Sequence, residues 1–60
     1  MYDKIEIIKG DANEIINHLK MNGYHFHETD NKNIIFVYEE ETSYVETILY
    51  EHNCKYRIND

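Results

Sequence analysis

His25 and His27 stand two residues apart in the stretch YHFHE. Two imidazoles at that spacing share one face of a strand and can ligate one metal ion. His18, His52 or Cys54 would have to supply a third ligand. No CxxC or Cys/His run accompanies the pair, and the sequence indicates no carboxylate to orient either ring. His25 and His27 are therefore read as exposed residues of an open sheet face, and neither a metal nor another cofactor is expected. His52 and Cys54 are a second possible pair, in which the imidazole would activate a thiolate. Such thiols need an electropositive, partly open setting. Cys54 instead follows a predicted helix C-terminus, whose dipole disfavours an anion, so an inert thiol is expected. Gly10 and Asp11 precede a helix N-terminus, a place where anions bind, but Asp11 itself takes the positive end as a cap. Glu39, Glu40 and Glu41 form the one charge run. They are either a solvated lead-in that suits the dipole of the next helix or an acidic handle for a basic partner. No Ser-His-Asp order, P-loop, GxGxxG or paired-carboxylate pattern occurs. A chain of 60 residues is also short for walling off a dry pocket, so no enzyme is expected.

The elements that must position these residues follow from periodicity. Residues 2 to 9, YDKIEIIK, predict a strand with Ile5 and Ile7 on one face and Ile8 on the other. Gly10 ends it. In DANEIINHLKMNG, Asp11 and Glu14 predict a capping box. Ala12, Ile15, Ile16 and Leu19 make the buried stripe, and Asn22 and Gly23 the left-handed stop. Residues 24 to 28 alternate strictly, TDNKN is turn chemistry, and IIFVYE predicts the second arm of a hairpin. Ser43 and Glu46 predict another capping box. It opens a helix with Tyr44, Val45, Ile48, Leu49 and His52 on one stripe and Asn53 at its end. CKYRI closes the chain as a strand with Tyr56 and Ile58 on one face.

The order is β-α-β-β-α-β over residues 1 to 60, one domain. It predicts an α+β ferredoxin-like fold, a four-stranded antiparallel sheet with two helices on one face. The first and third strands are then central. The stretch IIFVY does not alternate, so it is apolar on both faces. If Ile35 and Val37 face the helices, Ile34, Phe36 and Tyr38 face out. With Ile8, His25 and His27 they form an uncovered partner face of the kind that marks an interaction site.

A domain of this size buries only about 60% of the surface its unfolded chain exposes, and one cysteine allows no internal disulfide. Association is the remaining source of stability, and a homodimer through the open face is expected. Twelve acids oppose six bases, a net charge of −6. That balance disfavours direct nucleic-acid binding and favours a protein with a basic surface. No apolar run is long enough to span a membrane, and the first residues lack the pattern of a signal peptide. With a lone thiol, this points to the cytoplasm. Ile, Asn, Tyr and Lys make up 27 of the 60 residues, a bias towards AT-rich codons that suggests a low-GC bacterium or its phage.

In layout the chain resembles heavy-metal-associated domains, whose first loop carries a CxxC. Here that loop reads GDANE, so the resemblance implies the fold and not the metal. It is also similar to ACT regulatory domains, with Gly10 as the matching feature. That likeness implies a small-ligand module, one alternative function, and a metal-binding protein using His25 and His27 is another. In size and acidity it resembles phage-encoded anti-defence proteins of the anti-CRISPR or anti-Hachiman kind. This last resemblance implies an inhibitor that binds a bacterial nucleic-acid-handling defence protein stoichiometrically.

Overall fold

Asp11 caps the first helix as its position dictates. Its Oδ1 accepts the Glu14 N–H at 3.2 Å, and α1 runs over Ala12–Met21. The computed structural model describes residues 1–59. Ala12, Ile15, Ile16 and Leu19 are buried along one stripe. The far end closes in a Schellman motif: Tyr24 N–H donates to the Leu19 carbonyl at 3.1 Å and Gly23 N–H to that of Lys20 at 3.3 Å. Gly23 takes the left-handed φ of +73° that this turn requires. The second helix, α2 (Thr42–Glu51), ends the same way. Asn53, at φ +58°, donates to Tyr50, and Cys54 donates to Leu49 at 2.9 Å. Asparagine tolerates that conformation better than any other residue bearing a Cβ.

The start of α2 departs from expectation. The helix begins at Thr42, and Ser43 caps nothing. Glu39–Glu41 form a 3-10 turn whose Glu39 carbonyl already receives the Thr42 N–H, so the helix enters without a hydroxyl cap. The Thr42 hydroxyl donates instead to Asp3 Oδ2 at 2.7 Å and to the Tyr38 carbonyl at 3.2 Å. Glu46 accepts the Tyr56 hydroxyl at 2.8 Å. Val45, Ile48 and Leu49 are buried, whereas Tyr44, expected on the same stripe, is 62% exposed. Glu14 likewise leaves its expected capping box half made and pairs with His52 Nδ1.

The strands are β1 (Tyr2–Lys9), β2 (Phe26–Glu28), β3 (Ile34–Tyr38) and β4 (Lys55–Asn59). They form one antiparallel sheet in the order β2-β3-β1-β4, the ferredoxin-like α+β arrangement, with β1 and β3 central. Ile5 lies opposite Ile35 on one side and Ile58 on the other. Ile5, Ile7, Ile35 and Val37 pack with the buried stripes of both helices into one cluster, edged by Tyr24, Phe26, Tyr56 and Ile58. β2 is shorter than the alternation of residues 24 to 28 suggests, because Tyr24 is tied back to α1. Among the described residues no helix is long and apolar enough to cross a membrane.

Gly10 carries β1 into α1 at φ +129°. A Cβ placed there would sit 2.4 Å from Cys54 Sγ and 3.2 Å from Cys54 Cα. Gly10→Ala therefore meets both a disfavoured backbone conformation and a clash. We expect a loss of about 1–3 kcal/mol in urea denaturation. Adding Cys54→Ala should restore only part of it, because the backbone contact and the φ remain.

Candidate interaction surface on the open sheet

Alternation decides what the uncovered side of the sheet presents. With Ile5 and Ile7 in the core, β1 turns Tyr2, Lys4, Glu6 and Ile8 outward. With Ile35 and Val37 in the core, β3 turns out Ile34, Phe36 and Tyr38, each partly exposed. β2 adds His27, with His25 just before it. In β4, Tyr56 and Ile58 pack on the core, so Lys55, Arg57 and Asn59 face outward. None of the described residues covers this side.

The register brings four rings together at one end. Tyr2 lies opposite Tyr38, and His27 opposite Phe36. His25 stacks on Tyr38 with ring centroids 4.9 Å apart and planes 9° from parallel. Tyr38 meets Tyr2 at 4.9 Å, and Tyr2 meets His27 edge-on at 4.9 Å. The Tyr2 hydroxyl and His27 Nε2 are in hydrogen-bond contact at 2.9 Å. Glu41 holds the outer ring: its Oε1 accepts the His25 N–H at 2.8 Å, and its Oε2 lies 3.4 Å from Nδ1. Tyr2 was not singled out in the sequence, although strand alternation from Ile5 back to residue 2 carries the signal.

Thus Ile34, Phe36, Tyr38, His25 and His27 share one surface. Ile8 is 55% exposed but stands beyond Glu6 at the other end, beside a bulge between Ile7 and Lys9. Lys4 faces Phe36 across the strands and Glu6 faces Ile34, so charged side chains border the apolar residues of β3. The three glutamates divide as well. Glu39 and Glu40 are exposed, while Glu41 is committed to His25.

His18, His52 and Cys54 lie on the helix side, apart from His25 and His27. His18 and His52 meet edge-to-face at 5.4 Å. Among the described residues no group of three His, Cys, Asp or Glu is arranged to hold a metal ion. Burial, the largest cause, pushes the Cys54 thiol up, and the Glu14 and Asp11 carboxylates add to this against a backbone N–H of Asp11. The thiol is therefore protonated at neutral pH, the opposite of what a nucleophile needs. A groove of about 430 Å³ runs along α1 between Asp11 and Met21. It is lined by the outward side chains of one helix and the cap before it.

Charge is sorted between the two sides. The open sheet carries Lys4, Lys55 and Arg57 against Glu6, which stands directly across from Arg57, and Glu39, Glu40 and Glu41 border its ring end. The helices and their lead-ins expose Asp11, Glu14, Glu39, Glu40 and Glu51. There Lys20 is already paired with Glu28 at 3.3 Å. Whole-chain charge conceals this division. In comparisons with protein-family models, with curated proteins and with solved structures, nothing matches the chain.

Two tyrosines hold their protons more tightly in the folded state. Hydrogen bonding with Tyr38, then loss of water, raises Tyr2 above its ordinary 10.0. The hydrogen bond to Glu46, then loss of water, raises Tyr56. A group with a raised folded pKa gives stability that is complete below the unfolded value and lost as pH climbs through the folded one. Urea midpoints should therefore fall as pH rises above 10. In the Tyr2→Phe/Tyr56→Phe variant the fall should be shallower. At neutral pH, Tyr56→Phe should cost about 1 kcal/mol for the lost hydrogen bond.

Proposed function

We propose that the chain is an interaction protein that acts by stoichiometric binding, without catalysis, on a protein with a basic surface. The observation that carries this reading is the acidic side of the molecule. Both helices and the turn before α2 expose carboxylates, and the lysine of α1 is paired with Glu28. Such a field attracts a basic partner and raises the rate of encounter. The thiol is buried and protonated, and the groove is walled by α1 and its cap alone.

Proteins that hold nucleic acid carry a basic patch or stripe. The partner class proposed is therefore a nucleic-acid-handling protein. An inhibitor of a bacterial defence protein, carried by a phage and acting in the host cytoplasm, is the instance that the resemblance in size and acidity favours. A homodimer through the open sheet would bury the partly exposed Ile34, Phe36 and Tyr38 of each copy.

The test is affinity capture from a bacterial lysate, followed by binding kinetics with the purified captured protein. The on-rate should fall steeply with salt, since exposed charges are screened over about 8–10 Å. Glu39→Gln/Glu40→Gln should lower the on-rate more than it raises the off-rate. A captured partner whose rates ignore both salt and these substitutions removes the acidic side from the interface, and the proposal with it.

A further inference from the structure

We propose that the open sheet face is a stacking platform for the unpaired bases of a single-stranded nucleic acid. This concerns the side opposite the acidic one and does not rest on the reading above. Three observations carry it.

The first is the placement of the rings. Phe36 and Tyr38 are alternate residues of β3, Tyr2 lies directly across from Tyr38, and His27 directly across from Phe36. Rings on this lattice repeat about 5 Å across strands and about 7 Å along one. Small four-stranded sheets that bind single-stranded RNA do so by stacking two or three bases on such exposed aromatics. Every base has a π-face, so rings alone give affinity without demanding a sequence. His25, stacked on Tyr38 with its side chain 64% exposed, offers the outer end of a stack that one more base would extend.

The second is the charge of this face. Lys4 lies beside Phe36 and within reach of a backbone crossing the rings, with Arg57 and Lys55 further along. Glu6 opposes them but stands across from Arg57, and Glu41 is engaged with His25. Glu39 and Glu40 border the ring end and will limit affinity.

The third is distance. The molecule measures 25 × 22 × 20 Å. At physiological ionic strength the screening length is about 8 Å, so Asp11, Glu14 and Glu51 on the helix side are heavily screened from a strand lying on the rings, whereas Glu39 and Glu40 beside Tyr38 are not. Part of the net charge of −6 is therefore screened from this face, and the part on Glu39 and Glu40 is not. With Lys4 beside the rings and Arg57 and Lys55 further along, the logarithm of affinity should fall with log salt at a slope between about −0.7 and −2.

Fluorescence anisotropy tests this with labelled oligonucleotides of roughly ten nucleotides: oligo(dT), oligo(U), a duplex of the same length, and inorganic polyphosphate as competitor. At low salt both single strands should bind at micromolar concentration and the duplex more weakly. A preference between the ribose and deoxyribose strands would identify the source and supports the platform either way. His25→Ala and Phe36→Ala should each weaken binding about tenfold, and Lys4→Gln should reduce the salt slope by about 0.7. His25 and Lys4 lie outside the core, so those variants remain informative if Phe36→Ala fails to fold. The proposal is overturned by any of four results. These are no binding at tens of micromolar, equal binding of duplex, affinity unaffected by His25→Ala, or full displacement by polyphosphate at equivalent charge. Sedimentation showing a dimer that buries Phe36 would likewise overturn it, since the face would then belong to a second copy.

Discussion

Everything on this molecule depends on the register between β1 and β3, where Ile5 lies opposite Ile35. Both side chains are fully buried, and they sit where the stripes of the two helices meet. A slip of one residue would turn every side chain of β1 to the other face. Lys4 and Glu6 would then enter the core, while Ile5 and Ile7 would enter water. Burying two unpaired charges costs far more than any gain elsewhere in a domain this small. The same register that keeps the core apolar brings Tyr2 against Tyr38 and Lys4 against Phe36. Surface and core are thus two readings of one alignment.

Turn and cap chemistry explains how the alignment survives in so few residues. Both helices are ten residues long, too short to be stable alone. Each is closed by a left-handed residue, Gly23 or Asn53, that returns the chain to the sheet within three positions. Thr42 adds a tie of a different kind. Its hydroxyl joins the start of α2 to Asp3 on β1 and to the last carbonyl of β3, so one side chain pins three elements. A residue that would have served as an ordinary cap is used as a fastener.

The sequence made the element order, the central place of β1 and β3 and the helix stripes legible, because hydrophobic period and cap residues are local signals. Asp11, Gly23 and Asn53 could be read for the same reason. Ser43 misled because a 3-10 turn starts the helix one residue before it, at Thr42, and such a turn has no sharp signature in EEE. Glu41 looked like its two neighbours until the fold brought His25, sixteen residues away, against it. The sorting of charge was harder still. Lys4, Lys55 and Arg57 lie on two strands that are distant in sequence, and only pairing puts them on one face. A net charge is a sum, and a sum carries no direction.

The contact between Gly10 and Cys54 has a further meaning. The thiol is 9% exposed, and there is no room for even a methyl group between it and the turn after β1. An alkylating reagent has little access to the sulfur while β4 is seated. The rate at which Cys54 is modified is therefore a clock for the detachment of the C-terminal edge of the sheet. The protein carries its own reporter of local opening, at the seam where its last strand joins its first.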